Sequence, residues 1–564
     1  MKTKILTILN CLFLILMVSC QKQETFSTSK KDSVTSLTAS NLNKNTILAG
    51  GSTGVYIHPG LLHTESDFIR MRTMVNAGTQ PYLDGWNKLL ANSHSLSTYT
   101  IQGPADTVFR GSGYTQNYTK LYNDIAAAYQ NALRWKINGD TACGDKAIAI
   151  MNAWSSTLKV ISGTADRWLA AGIYGYEFAN AAEIMRPYSA WGASDFARFQ
   201  TMMLTVFYPM NHDFLVNHNG ACITNYWANW DLCSMASIIA IGILCDDSAK
   251  FNEAVTYFKT GAGNGSIDHA VPFLYAGGLG QGQESGRDQG HQCLDISLLG
   301  AFCQMAYNQG QDLFGYESNK SLAVSEYTAS YNLGNTVPFT TYNWGTGTTC
   351  AASSQTVISA SSRGDIRPSW ELIYNHFQNV VGGVSTTYSG QYAANVRPEG
   401  GGGDYGSTSG GYDQLGFGTL TYTVGTQPIA NGTYHLVNRA SGKYLDNLGA
   451  TTNAANVGQW ASSTSNNQKW TLAYVGGYYK LTCVSSGKCL DSNGNTADGS
   501  NVTQWASSTT PNQQWVIIPV GAYYKLVDRT NGKCLDTGGG TANGSIMQFW
   551  ASGTSTNQQW TIVP

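Results

Sequence analysis

The chain has 564 residues, too many for one ordinary domain at roughly 100–200 residues each. Charged residues make up only 12%, against about 25% in an average soluble protein, so solubility rests on neutral polar groups. A net charge of −2, with no run of Lys or Arg to track phosphates, excludes nucleic-acid binding from the expected functions. The 62 Gly, 15 Trp and 32 Tyr instead promise many turns and many flat ring faces.

The first twenty residues run from Lys2 and Lys4 through an apolar stretch, Ile5 to Val18, to Ser19 and Cys20. That stretch is shorter than the about 20 residues a spanning helix needs, and it reads as an export signal. Met17-Val18-Ser19-Cys20 resembles the lipobox of bacterial lipoproteins. The resemblance implies cleavage before Cys20, lipid modification of its sulfur, and a membrane partner through that anchor in an extracytoplasmic location. A plain secretory signal is the alternative. Residues 21–50 are rich in Ser, Thr, Lys and Asn, with too few large apolar groups to offset the cost of ordering, and form an expected disordered tether. The later cysteines, from Cys143 to Cys534, can form disulfides in an oxidising compartment, but spacing assigns no pairs.

From about residue 51 to 425 the pattern is helical. Leu121, Ile125, Tyr129 and Leu133 recur at four-residue steps and stop at Gly139, and Ile150, Trp154 and Leu158 repeat the spacing. Further helices are predicted at 167–186, ended by Pro187; 194–208, ended by Pro209; 227–245; 248–260; and 287–308, ended by Gly310. Successive medium helices without long alternating strands predict an α/α toroid, with a superhelical helical repeat as the alternative.

Four stretches of this module carry its chemistry: Tyr176-Glu177-Phe178-Ala179-Asn180-Ala181-Ala182-Glu183-Ile184, Asn225-Tyr226-Trp227-Ala228-Asn229-Trp230-Asp231, Gln283-Glu284-Ser285-Gly286-Arg287-Asp288-Gln289-Gly290-His291, and Ser369-Trp370-Glu371-Leu372-Ile373-Tyr374-Asn375-His376. On these residues the module resembles the alginate-lyase superfamily of polysaccharide lyases, with polysaccharide lyase family 38 as the nearest match. The resemblance implies β-elimination on a 4-linked uronic acid in an anionic polysaccharide such as alginate or glucuronan. A base removes the C5 proton, an acid protonates the leaving O4, and a neutral or positive group stabilises the carboxylate as charge develops.

Asn225 and Asn229 are one turn apart at the start of a predicted helix, so their amides are expected to share a face. Arg287 and His291 are also four apart, at the start of the 287–308 helix, where a guanidinium can pair with a uronate. Asn225 and Arg287 are therefore the expected carboxylate-side groups, His291 the base or neutraliser, and Tyr226 and Tyr374 the acid candidates. Plain packing is the competing role for Tyr226, a helix bond to Asp295 for His291, and bracing of a buried helix for His376. The better-known alginate lyases carry an Asn-Asn-His run before the Tyr-Trp pair. Here that stretch reads Cys222-Ile223-Thr224-Asn225, which keeps His218 and Asn219 as further candidates for neutralising the carboxylate.

Two other function classes stand beside the lyase. A glycoside hydrolase would draw two carboxylates from Glu284, Asp288, Glu371 and Asp404, and a non-catalytic glycan-binding protein would need none. The Gly-rich stretch from Gly400 to Gly411 lacks the Gly-Lys-Ser/Thr ending of a phosphate-binding loop, and its Asp404 and Tyr405 suit a loop over a cleft. No Cys or His spacing points to zinc, and no cofactor is expected.

The C-terminal part, about 428–564, is a threefold repeat. Gly-Lys-Tyr-Leu-Asp446, Gly-Lys-Cys-Leu-Asp491 and Gly-Lys-Cys-Leu-Asp536 recur at a fixed interval, as do Gln468-Lys-Trp470, Gln513-Gln-Trp515 and Gln558-Gln-Trp560. Each unit alternates like strand and closes on its Gln-x-Trp, so three units are expected to bury their apolar faces around a pseudo-threefold axis. These motifs resemble the ricin-type β-trefoil, a lectin-like carbohydrate-binding module. The resemblance implies glycan partners at Asp446, Gln459, Trp460, Asn467 and Gln468 in the first lobe. It implies Asp491, Gln504, Trp505, Asn512 and Gln513 in the second, and Asp536, Trp550, Asn557 and Gln558 in the third, where Phe549 replaces the Gln. Trp470, Trp515 and Trp560 are expected core.

Overall fold

The computed structural model describes residues 56–345, 350, 352–405, 412–425 and 427–564. The leader with Cys20 and the tether lie outside the described residues. After an opening stretch, helices α1 (Glu65–Asn76) and α2 (Tyr82–Ala91) lead to strand β1 (Thr107–Arg110). The long helix α3 (Tyr118–Asn138) buries Leu121, Ile125, Tyr129 and Leu133 and ends where Gly139 takes φ 80°, a left-handed conformation that favours glycine. Helix α4 (Thr141–Thr157) starts on Asp140, whose carboxylate accepts the Cys143 N–H.

Strand β2 (Val160–Gly163) runs parallel to β1 and pairs Gly163 with Arg110. Next come α5 (Asp166–Met185), α6 (Ala193–Met202), α7 (Tyr208–Asn217), α8 (Ala228–Leu244), α9 (Ser248–Thr260), α10 (Gln289–Asn308), α11 (Tyr316–Asn332), α12 (Trp370–Asn375) and α13 (Thr387–Val396). Pro209 does not end the 194–208 helix as expected. A π turn at Met203–Phe207 absorbs the break, and Pro209 sits in the first turn of α7, where its missing N–H costs nothing.

Helix α3 packs on α5, α5 on α8, α8 on α10 and α10 on α12; the turn Gly418–Thr421 then joins α12 to α1, which returns to α3. This closed inner ring, with α4, α6, α9, α11 and α13 outside or between, is the expected α/α toroid. Helices α5 and α8 are buried nearly all round, as inner-ring helices must be. A disulfide joins Cys222, before α8, to Cys350 beyond the hairpin strand Tyr342–Trp344.

From Gly432 onward the chain is β-rich. Its antiparallel strands form one sheet in which Trp560 pairs with Asn438, so the last strand meets the first. Trp470, Trp515 and Trp560 are fully buried, and each indole N–H donates at 3.1 Å to the carbonyl of Leu445, Leu490 or Leu535. One bond repeated three times is the pseudo-threefold core that the motif spacing predicts.

Both parts lie in one compact unit, Ile47–Pro564. The trefoil docks on the end of α10: Arg529 donates to the main-chain oxygens of Tyr307, at 2.6 Å, and Asn308, and Tyr307 O–H donates to the carbonyl of Gly476. An apolar seam of Ile69 against Ile518 and Val527 adds to the contact.

Candidate functional site

Asp288, not Arg287, opens α10. Its Oδ1 accepts the His291 main-chain N–H at 2.8 Å, as an N-cap does. Its Oδ2 lies 2.7 Å from His291 Nδ1, and Arg287 reaches His291 Nε2 at 3.2 Å. A carboxylate only accepts and a guanidinium only donates, so Nδ1 carries the ring proton and Nε2 bears the lone pair. Burial works to raise the Asp288 carboxyl, but the bonds from His291 and the Arg287 charge outweigh it and hold it down at about 2.

Arg287 also pairs with the fully buried Glu284 at 2.7 Å and lies over the Trp227 ring at 4.8 Å. Glu284 in turn accepts from the main-chain N–H and the side-chain amide of Asn229, at 3.0 and 2.5 Å. Asp295, one turn beyond His291, does not bond to it. Burial and the neighbouring Glu284 push the Asp295 carboxyl well above its ordinary range, so it stays protonated beneath the site.

Of these groups Asn229, Asp288 and His291 line an open cleft of about 680 Å³, where they meet Arg110, Arg367 and Asp413, and Arg287 stands behind the lining, bonded to His291. Arg367 is bonded to Asp413 at 3.0 Å. Tyr405 closes another part of the wall; its oxygen accepts the Gly400 N–H at 2.9 Å, which leaves its own proton free to donate. Burial, with help from Glu399, raises the Tyr405 phenol, which keeps it protonated. Residues 406–411 of the Gly-rich stretch lie outside the described residues.

The other expected site residues stand elsewhere. Asn225 precedes the N-cap of α8, so it does not share a face with Asn229, and its amide oxygen lies 3.6 Å from the Cys350 sulfur. Tyr226 packs against Phe214 and Trp230, and its oxygen accepts from Asn219. Buried His218 bonds to Asp231 at 2.8 Å. Tyr374 lies under the Arg397 guanidinium, away from the cleft lining. His376 is buried and stacked on Phe314, and burial lowers it to about 3. Of the four carboxylates a hydrolase would draw on, Glu284 and Glu371 are buried in ion pairs with Arg287 and Arg397, Asp404 faces Lys88, and Asp288 alone lines the cleft. Arg110, Arg367 and Asp413 were missed because they come from three distant segments that share no motif.

In the trefoil, Trp460 and Trp550 are nearly half exposed and lie over Gly544 and Gly499 of the neighbouring lobe, while Trp505 is partly buried. Asn467 is half-buried beside Gly449, Asn512 accepts from Thr530, and Asn557 approaches Gly539. Gln459 and Gln504 do not face a ligand as expected. Both are fully buried, accepting from Ser441 and Ser486 and donating to Gly540 and Ala450 of other lobes. Phe549, at the matching place in the third lobe, stacks on Trp515, which marks this position as core. Gln468 and Gln513 brace Asp446 and Asp491 at 2.9 and 2.7 Å, and Gln558 donates to Ala551. Asp446, Asp491 and Asp536 each accept a main-chain N–H two residues on, which fixes the turn after the strand.

Comparison with known proteins supplies a family for each part. A family described as Alginate lyase matches residues 110–331, and one described as Ricin-type beta-trefoil lectin domain-like matches 421–505, 466–550 and 511–564. Among solved structures, the designed threefold-symmetric protein ThreeFoil is 44% identical over 24% of this chain and 99% of its own, with a TM-score of 0.23. An exo-β-1,3-galactanase from Clostridium thermocellum is 37% identical over 26% of this chain and 32% of its own, also at 0.23. The Rhizoctonia solani agglutinin is 24% identical over 25% of this chain and 99% of its own, again at 0.23. No curated protein matches.

Proposed function

For a chain whose residues 110–331 form an alginate lyase domain and whose residues 421–564 form ricin-type β-trefoil lectin-like repeats, we propose a polysaccharide lyase that cleaves a 4-linked polyuronate by β-elimination while its trefoil holds glycan. The observation that carries this reading is the cleft that brings together the imidazole of His291, the bound amide of Asn229 and the neutral phenol of Tyr405, with the Arg287 guanidinium bonded to the imidazole beside it.

With substrate present, the uronate carboxylate takes the Arg287 donor that His291 Nε2 otherwise accepts. That releases the Nε2 lone pair to remove the C5 proton, while the guanidinium stabilises charge growing on the carboxylate. As the C4–O4 bond breaks, the Tyr405 phenol gives its proton to the departing oxygen, leaving an unsaturated sugar. Asp288 holds the ring in the tautomer that makes Nε2 the base.

The lipobox-like Met17 to Cys20 supports an exported protein anchored at Cys20, and the trefoil then keeps enzyme and polymer together by raising effective concentration. Incubation with alginate, glucuronan and a neutral glucan tests the reading. An ultraviolet-absorbing double bond from a uronate polymer is the expected product; reducing ends without that absorbance would replace the lyase with a hydrolase, and no product with retained binding would leave a glycan-binding protein.

A further inference from the structure

Among the charged groups of the cleft, Arg110 is arranged differently from the rest. Arg287 is paired with Glu284 and Arg367 with Asp413. Arg110 has no carboxylate within ion-pair distance among the described residues. Its guanidinium donates to the Tyr174 hydroxyl at 3.2 Å and lies 5.1 and 5.8 Å from the ring centres of Tyr118 and Tyr174. Asp413 and Asp166 stand farther off, and the Asp413 carboxylate is engaged by Arg367. Two aromatic faces and one hydroxyl leave most of the five donors of a guanidinium without a partner among the described residues, and Arg110 lines the cleft.

The backbone beneath this side chain is fixed. Arg110 ends β1, its carbonyl accepts the Thr164 N–H at 3.1 Å, and β2 approaches so closely that a Cβ on Gly163 would lie 1.9 Å from that carbonyl oxygen. A half-buried cation with no ion-pair partner among the described residues, on a rigid strand end that lines a cleft, is costly to keep unpaired and is stabilised by an anion. Arg110 comes from β1 and the Arg287–His291 pair from the start of α10. The cleft volume, in the range that takes drug-sized ligands, leaves room for more than one sugar ring.

We infer that Arg110 is a carboxylate receptor: it binds the carboxylate of a uronate next to the one processed at His291, so the enzyme selects polymers in which acidic sugars are consecutive. This rests on the lyase reading and assigns the residue that would hold the neighbouring acidic sugar of that polymer. Arg110 touches substrate without touching the reacting atoms, so its loss acts on binding and leaves the chemical step largely intact.

The test compares wild type, Arg110→Gln, Arg110→Lys and His291→Ala on a homopolymeric uronate and on the same polymer with part of its carboxyl groups reduced to alcohols. Arg110→Gln is expected to raise KM on the intact polymer by roughly ten- to a hundredfold, with kcat within about threefold of wild type. Arg110→Lys keeps the charge but loses the fork, and lies between the two. Carboxyl reduction is expected to weaken wild type far more than Arg110→Gln. A wild-type KM in Arg110→Gln, or an equal KM rise on both polymers, overturns the assignment. If Arg110→Gln fails to fold by circular dichroism, Arg110→Lys carries the same comparison. Calorimetric binding of uronate oligomers to His291→Ala, with and without Arg110→Gln, needs no turnover. If no uronate polymer yields an unsaturated product, the lyase reading falls, and this binding experiment still decides the role of Arg110.

Discussion

Asp288 divides its carboxylate between two tasks at His291: one oxygen caps the helix at the main-chain N–H, at 2.8 Å, and the other orients the ring at Nδ1, at 2.7 Å. Asparagine caps helices as well as aspartate, so Asp288→Asn separates the tasks. It is expected to keep the melting temperature while kcat falls, because the ring is no longer held in one tautomer. Asp288→Ala loses the cap too, at about 1 kcal/mol by denaturant titration. His291→Ala is expected to lower kcat by about 10²–10⁴-fold, the usual worth of a positioned base, and a smaller loss would remove His291 from that role.

Two buried imidazoles are expected to make one part of the stability sensitive to acid. Burial lowers His376 to about 3 and His63 to about 4, from an ordinary imidazole value of about 6.5. At these two side chains the unfolded state therefore binds more protons than the folded one below about pH 6.5. Their contribution is present above that pH and is lost as pH falls toward 4 and 3. Relative to wild type, His376→Phe, which keeps a ring against Phe314, should gain melting temperature as pH goes from 7 to 4; the buried carboxyls of Glu399 and Asp295, raised above their ordinary range, act in the opposite direction and alike in both proteins, so the difference between the two proteins is the readout.

Within the trefoil, the two kinds of tryptophan should part company. Trp460→Ala and Trp550→Ala are expected to weaken glycan binding by about 1 kcal/mol or more and leave the melt unchanged, since both rings are exposed. Trp515→Ala removes a fully buried ring and its bond to Leu490, at a cost of about 3–5 kcal/mol. Glycan-column retention and thermal melting read the two effects separately.

Reduction of Cys222–Cys350 should act on both stability and turnover. The bond closes a long loop, so losing it costs about 2–5 kcal/mol, and it ties the segment before α8 to the hairpin whose Trp344 packs, tilted, against Trp227 at 4.3 Å. Trp227 supports Arg287, so a Cys222→Ser/Cys350→Ser pair is expected to lose activity at temperatures where it is still folded.

The toroid and the trefoil were legible because both rest on periodicity. Leu121, Ile125, Tyr129 and Leu133 mark one helix face, and the Gln-x-Trp motifs mark three equivalent lobes. Arg287 and His291 were legible as neighbours because four residues separate them, even though the helix starts between them. Asn225 and Asn229 have the same spacing and do not meet, because Trp227 is the N-cap and Asn225 lies outside the helix. Arg110, Arg367 and Asp413 meet only when the ring closes, and a single sequence holds no local sign of that closure. Gln459 and Gln504 look like ligand amides in a motif; only burial reveals that they bridge lobes.

Helix α10 carries His291 in its first turn and Tyr307, where Arg529 docks, in its last. Sixteen residues at 1.5 Å each set the two about 24 Å apart along a stiff rod. Under the proposed function, the trefoil docks well away from the candidate base, so a glycan held on it would be a different part of the polymer from the sugar in the cleft. If both places engage one polymer strand, only a strand long enough to span that separation would reach both, and a short fragment would lose the second handhold.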